Sequence, residues 1–189
     1  ISNDGKNIVS TAKQKTMVSV FVDVGAKNNT GKGKDSKHAV SVLSGRLWEF
    51  VYISNSRSAD IVVGFAPVAV DLKQSIQKQQ KCVSWNLRNG TITKNGKVMT
   101  VCDSRHALYC TPGDVLGFLV TDDTKSLYMF KNSAIVGYLK LNSEDSTFSW
   151  DTVRPCISIY GKSSLKILGF KSGFYDCHYR STSRLPRCK

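Results

Sequence analysis

The sequence is short of the residues that many catalytic sites need. Its 189 residues include only three histidines, and only two of its fourteen acidic residues are glutamate. His38, His106 and His178 stand far apart, and none lies in a local signature of a Ser-His-Asp hydrolase. A hydrolytic or sugar-binding β-sandwich is one alternative, but glycoside hydrolysis needs paired carboxylates facing one cleft. The composition therefore predicts a binding protein without catalytic residues.

No long apolar segment is present either. The longest nearly unbroken run, IVVGFAPVAV at residues 61–70, is much shorter than the roughly twenty residues of a spanning helix. We therefore expect no membrane insertion. Six cysteines are too few for a small protein built on disulfides, which favours a reduced, cytoplasmic protein and leaves secretion open. Cys156 lies in an apolar run and is predicted to be a buried thiol, whereas Cys177 and Cys188 could form a disulfide.

Metal-binding and phosphate-binding motifs are incomplete. Cys102, His106 and Cys110 recur at steps of four, and Cys82 could supply a fourth ligand. Their surroundings are predicted to be strand and loop, however, and no C-x-x-C pair is present. The segment GAKNNTGKGKDSKH has five residues between its first two glycines, where a phosphate-binding loop needs four. We therefore predict neither a metal nor a cofactor.

Positive charge is in excess. The net charge is +13, from 27 basic and 14 acidic residues. Residues 1–38 contribute +4 (seven lysines, three aspartates), residues 171–189 contribute +4 (five basic residues, one aspartate), and the rest contributes +5. Because the positive charge is spread along the whole chain, we expect a solvated basic surface, which suits an acidic protein or nucleic acid as a partner. The tail interleaves rings with cations, namely Phe174, Tyr175, Tyr179, Arg180, Arg184, Arg187 and Lys189. A basic nucleic-acid-binding β-protein, viral or part of a ribonucleoprotein, is therefore the alternative function. The favoured interpretation is that these rings anchor the tail on the fold.

Short apolar runs with a period of two recur along the chain and predict strands. The predicted strands are Met17–Val24, Ala39–Leu43, Leu47–Ser54, Asp60–Ala66, Val83–Leu87, Lys97–Val101, Val115–Thr121, Ser126–Lys131, Ala134–Leu141, Val153–Tyr160 and Ser164–Phe170. Asn89-Gly90 and Asn95-Gly96 suit tight hairpin turns, and Lys73–Lys81 lacks an apolar stripe and is predicted to be a loop. This pattern predicts an all-β, two-sheet antiparallel sandwich with little or no helix. Its expected core is Trp48, Phe50, Val63, Trp85, Leu87, Phe118, Leu127, Phe130, Ile157 and Ile159.

Five blocks between residues 39 and 170 follow one another in a recognisable order. They are RLWEFV (46–51) with IVVGFA (61–66), SWNL (84–87) with NGK (95–97), GDVLGFL (113–119), LYMFKN (127–132) with Val136-Gly137, and RPCISI (154–159). In this order they resemble the motifs W-x-F/W-x-V with hxVGhA, W-x-h with NG, GDxhGhxLD, LxFxxNG…G and LYPxhSh of the SPRY domain family. Ser133 replaces the family's glycine, and residues 171–189 extend past its core.

The resemblance implies a bent sandwich that acts as a protein-interaction module, with specificity in loops at one end. We expect an N-terminal strand and basic loop (1–38), a SPRY-like core (39–170) and a basic, cysteine-containing extension (171–189). The candidate recognition loops are Lys27–Lys37, Pro67–Lys81, Asp103–Pro112, Asn142–Thr152 and the Tyr160-Gly161 turn. The residues expected to contact a peptide or loop of an acidic partner protein are Tyr160, Gly161, Lys73, Ser75, Ile76, Lys78, Lys81 and Arg105. Tyr160 aligns with an aromatic residue of the peptide site in some family members.

Overall fold

Strands make up most of the chain that the structure describes. This computed structural model describes residues 7–10, 17–21, 41–55, 59–100, 108–121, 126–140 and 153–177. The strands are β1 (Asn7–Ser10), β2 (Met17–Phe21), β3 (Ser41–Asn55), β4 (Asp60–Pro67), β5 (Val83–Asn86), β6 (Ile92–Lys94), β7 (Lys97–Met99), β8 (Val115–Thr121), β9 (Ser126–Lys131), β10 (Ala134–Lys140), β11 (Val153–Tyr160) and β12 (Ser163–Cys177). A single-turn 3₁₀ helix, Ile76–Lys78, lies between β4 and β5.

The strands form two antiparallel sheets. The first sheet has the order β1-β12-β3-β8-β9-β10, and the second has the order β2-β11-β4-β5-β6-β7. Inward residues of both sheets meet in one buried cluster, so the sheets pack face to face as a sandwich. The predicted fold class is confirmed. β12 runs without interruption across residue 170, where the predicted core and extension divide.

Aromatic rings fill the centre of this core. Phe118 has ring centroids at 5.8 Å from Trp48, 6.2 Å from Phe50, 5.6 Å from Phe65 and 5.9 Å from Trp85. These rings come from four strands of both sheets, and none is more than 4% exposed. Tilted and edge-on aromatic pairs at such distances add to the gain from burial alone. Phe118 therefore packs against rings from both sheets at the centre of the core.

Phe130 corrects the predicted core. The other nine predicted core side chains are buried, but Phe130 is only half-buried. It follows Met129, which is fully buried between the sheets, and successive residues of a strand point to opposite faces. Phe130 therefore lies on the outer face of the first sheet, beside Gly117 of β8.

Two hairpin turns begin with asparagine and continue with glycine in one case and serine in the other. Asn95 and Gly96 have φ of +53° and +73°, and they join Lys94 of β6 to Lys97 of β7, as their sequence predicts. Asn132 and Ser133 have φ of +50° and +66°, and they join β9 to β10. Ser133 thus adopts a left-handed conformation that glycine would adopt at lower cost.

The two buried tryptophans differ in the partner of the indole N–H. This difference predicts that replacing each of them by Phe lowers the free energy of unfolding by a different amount. Trp85 Nε1 donates to the Leu108 carbonyl at 2.9 Å, whereas Trp48 Nε1 has no hydrogen-bond partner among the described residues. Both side chains are 0% exposed, so replacement by Phe removes similar buried volume. We expect Trp85→Phe to lower the free energy of unfolding by about 1–2 kcal/mol more than Trp48→Phe, because it breaks a buried hydrogen bond and leaves the Leu108 carbonyl with only the weak Cys110 Sγ donor at 3.4 Å. Urea unfolding of both variants tests this, and an equal loss would contradict it.

Asp114, in the GDVLGFL block, ties the loop before β8 to the β9–β10 turn. Its carboxylate accepts the Thr111 backbone N–H at 2.8 Å, the Thr111 hydroxyl at 3.2 Å and the Asn132 amide at 2.8 Å. Burial alone would raise the pKa of Asp114, but these hydrogen bonds and the Lys131 charge outweigh it and lower the pKa below its usual 3.8. The motif aspartate therefore acts as a structural clamp.

This lowered pKa predicts a pH-dependent role for Asp114. The ionised carboxylate stabilises the fold above its unfolded pKa of about 4, and that contribution disappears as pH falls through the lower folded pKa. We expect Asp114→Asn to lower the melting temperature at neutral pH, with the difference from wild type shrinking steadily below about pH 4. Thermal melts of both proteins across the acid range measure it. A difference that stays constant with pH would show that the charge is irrelevant.

Candidate partner-binding surface on the second sheet

The loop from Pro67 to Lys81 is cross-linked by its own side chains. The Gln79 amide accepts the Asp71 N–H at 3.0 Å, and its Nε2 donates to the carbonyls of Asp71 and Gln74 at 2.7 and 3.1 Å. The Asp71 carboxylate in turn accepts the Lys73 N–H and the Gln74 amide, both at 2.9 Å. The loop therefore holds a defined shape without a partner, which lowers the entropy cost of binding one.

The 3₁₀ turn of this loop packs on the outer face of the second sheet. Ile76 is fully buried in a small cluster with Val62, Ala66, Cys82 and Cys156. The Ile76 N–H donates to Ser158 Oγ on β11 at 3.3 Å. The Ser75 hydroxyl accepts the Gln77 N–H at 3.3 Å and starts the turn as its N-cap. Ser75 and Ile76, both predicted to contact a partner, are buried and hold the loop on the sheet.

Tyr160 and Gly161 do not share a loop end with Pro67, which corrects the predicted arrangement. In the antiparallel pair of β4 and β11, Val153 lies opposite Pro67, and Tyr160 lies opposite Asp60 at the other end. The loop nevertheless packs on the outer face of the second sheet, the face on which the strand alternation also puts Tyr160. Ser158 contacts Ile76, and Tyr160 lies two residues further along the same face, about 7 Å away. The structure thus places Ile76 and Tyr160 on the same face of the second sheet.

The exposed residues of the loop combine cations with aliphatic side chains. Lys73, Lys78 and Lys81 are exposed, as the sequence suggests for lysines. Val68 is 66% exposed and Leu72 is 39% exposed. The sequence interpretation did not single out these two as contact residues. The sequence signal that could have found them is Pro67, just before Val68. Proline lacks the N–H that a sheet interior needs, so it often marks the end of a strand and the start of an exposed loop.

Gly161 has a structural reason for being glycine. Its φ is +77°, and an added Cβ would lie 3.1 Å from the Cα of Ala59. Tyr160 itself is half-buried. Arg105, the remaining predicted contact, lies outside the described residues. The loops Lys27–Lys37 and Asn142–Thr152 also lie outside them, as do residues 103–107, the first half of Asp103–Pro112.

Three cysteines whose side chains the structure describes are buried thiols. Cys82, Cys110 and Cys156 are free, and the prediction for Cys156 is confirmed. Burial raises the pKa of Cys82 to about 11 and those of Cys110 and Cys156 to about 12, so all three stay protonated near neutral pH. Cys102 and His106 lie outside the described residues. Within them, no three potential metal-binding side chains cluster, and no helix is long and apolar enough to cross a membrane.

The order of strands and the packed aromatic core define the class: the chain has the fold of a SPRY domain. It is similar to a human SPRY domain, with a TM-score of 0.61, 16% identity, and coverage of 87% of this chain and 91% of that one. It is also similar to the SPRY domain of human HERC1, with a TM-score of 0.58, 15% identity, and coverage of 95% and 94%. No protein-family model and no curated protein matches the sequence.

Proposed function

We propose that this protein is a non-catalytic interaction module that binds a peptide or loop of a partner protein on the outer face of its second sheet. The observation that carries the proposal is the Pro67–Lys81 loop, which is held rigid by the Asp71 and Gln79 hydrogen bonds while it exposes Val68 and Leu72. Exposed aliphatic side chains on a pre-shaped loop cost free energy in water unless a partner covers them. The SPRY fold supports a binding role, because its solved neighbours, among them the SPRY domain of human HERC1, suggest a protein-interaction module in general.

Tyr160 supplies a second contact in this proposal. A tyrosine at the end of a strand offers a large apolar face to a partner and keeps its hydroxyl in water. Gly161 next to it forms the turn that ends the strand, because its φ of +77° suits glycine and Ala59 occupies the space that a side chain would take. Because the 3₁₀ turn lies beside Ser158, one extended peptide could cover both Tyr160 and Lys78. Arg105 stays a candidate contact on the grounds of the sequence alone.

Photo-crosslinking tests this surface directly. A benzophenone amino acid is placed at Leu72, at Tyr160 and, as the control, at Leu168 of β12 in the first sheet, which is 45% exposed. We expect discrete protein adducts at Leu72 and Tyr160 but not at Leu168. With the captured protein as ligand, Tyr160→Ala should weaken binding at least roughly tenfold, or about 1.4 kcal/mol, with little change in melting temperature.

Two results would contradict the proposal. Equal adducts at all three positions would show non-specific capture, and the absence of adducts at Leu72 would remove the loop as a binding site. If Tyr160→Ala lowers the melting temperature and leaves binding intact, the tyrosine supports the fold and the binding surface is the loop alone.

A further inference from the structure

Strand β7 is the last strand of the second sheet. β6 pairs with one side of it, and among the described residues no strand pairs with its other side. The two-residue turn Asn95-Gly96 makes Lys94 and Lys97 a hydrogen-bonded pair, and backbone groups of successive residues in a strand point to opposite sides. The N–H and C=O of the next residue, Val98, therefore point away from β6.

The side chain of Val98 lies on the outer face of the second sheet, because opposite residues of paired strands share a face. Val98 is opposite Thr93 of β6, which is opposite Ser84 of β5, and these two hydroxyls hydrogen-bond at 2.6 Å. Ser84 is opposite Gly64, which is opposite Cys156 of the outer-face cluster beneath the loop. Thr93 is 3% exposed, whereas Val98 is 62% exposed. The cover over this face therefore ends between β6 and β7.

The Pro67–Lys81 loop stands beside the exposed strand. Its 3₁₀ turn contacts β4, β5, β6 and β11. An added Cβ on Gly96, just before β7, would be 3.1 Å from the Lys78 carbonyl oxygen and 3.8 Å from the Gln80 amide nitrogen. A segment laid along β7 would therefore run beside the loop that the proposed function assigns to binding.

β7 lacks two of the features that keep an edge strand from pairing with another chain, namely proline and a β-bulge. β10, the edge of the first sheet, has a register shift between Ile135 and Gly137 and the exposed Lys140. In β7 the one charged residue, Lys97, lies on the opposite face from Val98. Since β7 has only three residues, its backbone contact is short, and side-chain contacts with Val98 and the loop must add to it.

We propose that β7 binds an extended segment of another protein as an added strand of the second sheet, with an apolar side chain of that segment beside Val98. The N–H and C=O of Val98 match the C=O and N–H of one residue in an extended chain, so the partner is a polypeptide. β-branched residues suit the partner because they pack well on a pleated surface. This inference rests on the proposed function and specifies how the partner binds beside the loop.

Amide hydrogen exchange followed by NMR tests the added strand at the residue that would form it. The probe is a synthetic peptide of alternating Val and Thr that carries N-methyl groups along one edge, so that it pairs only through its other edge. The control is the same peptide with every residue N-methylated. We expect the Val98 amide to exchange fast in the free protein and at least roughly tenfold more slowly with the probe. The Met99 amide, which faces β6, should not change.

Variants at the two sheet edges separate the backbone contact from the side chain. Val98→Pro removes the outward N–H and leaves the pairing of β7 with β6 in place. Val98→Thr keeps that N–H and the β-branch, and Ile135→Pro makes the same backbone change on β10, where the N–H of Ile135 also points outward. By fluorescence anisotropy, Val98→Pro should bind the probe at least roughly tenfold more weakly, and the other two variants should stay within about twofold of wild type. Thermal melts verify folding, and if a proline variant does not fold, the exchange measurement decides.

The inference is overturned if the probe does not bind wild type, if it binds without slowing exchange at Val98, or if Val98→Pro binds it as well as wild type does. A Val98 amide that is already protected in the free protein also overturns it. Protection that grows with protein concentration would then assign the edge to a second copy, and constant protection would assign it to the chain itself. Protein adducts at Leu72 and Tyr160 in any of these cases would leave the proposed function intact. Conversely, slowed exchange at Val98 without adducts at Leu72 would support the added strand and remove the loop.

Discussion

Phe118→Ala should lower the free energy of unfolding by about 3–5 kcal/mol, the loss found when a fully buried large aromatic side chain is truncated. Its ring contacts Trp48, Phe50, Phe65 and Trp85, which belong to both sheets. The truncation would leave a cavity where the two sheets meet, and the large surrounding rings cannot all move to fill it. Urea unfolding with a common slope would measure the change.

Phe130→Ala is the matched control for this prediction. Phe130 lies on the outer face of the first sheet and is only half-buried, so its truncation removes less apolar contact. We expect a loss of about 1 kcal/mol. Equal losses in the two variants would mean that the aromatic cluster around Phe118 does not hold the sheets together as the structure shows.

Gly64→Ala should also destabilise the fold strongly. We expect it to lower the free energy of unfolding by about 3 kcal/mol or more, a loss comparable to that of Phe118→Ala. Gly64 lies in β4 between Ser84 of β5 and Cys156 of β11. An added Cβ would lie 2.7 Å from the Cα of Ser84 and still closer to the Val83 carbonyl oxygen. Both atoms belong to the backbone of β5, which is paired on its other side with β6, so the strand cannot withdraw without losing that pairing.

Gly117→Ala tests whether this effect is particular to Gly64. Gly117, like Gly64, lies in one of the five sequence blocks that resemble SPRY motifs. Its added Cβ, however, would be 3.4 Å from Leu47 and 3.5 Å from the Trp48 carbonyl oxygen, which are ordinary contacts. We expect its stability to stay within about 1 kcal/mol of wild type. A soluble, cooperatively unfolding Gly64→Ala protein with near-normal stability would contradict the close approach of β4 and β5.

Local patterning in the sequence is sufficient to place the regular strands. Val115–Thr121, Ser126–Lys131 and Val153–Tyr160 are predicted with the bounds that the structure shows. In these segments β-branched and aromatic residues recur between turn residues, and that signal depends only on neighbours in the chain. The turn at Asn95-Gly96 is equally local, because it needs only two residues that accept positive φ.

Segments whose structure depends on distant partners could not be placed in this way. Ser44-Gly45-Arg46 is predicted to separate two strands, but β3 is continuous from Ser41 to Asn55. Gly45 remains in the strand because it pairs with Thr121 of β8 and Gly173 of β12, and an added Cβ would collide with the carbonyl of Val120. β6 is only three residues long, too short to show a period, and it exists because β5 and β7 pair with it on either side.

The candidate binding surface shows the same contrast between features set by neighbouring residues and features set by distant partners. The sequence by itself determined an all-β sandwich, the aromatic residues of its core and a basic loop at residues 73–81. Only the tertiary structure decided that Ile76 is buried, that the 3₁₀ turn packs on the outer face of the second sheet, and that Asn95 holds the Lys81 backbone. The physical reason is that strand propensity acts between neighbouring residues, whereas a surface is assembled by hydrogen bonds such as Ile76 to Ser158, which join residues 82 positions apart.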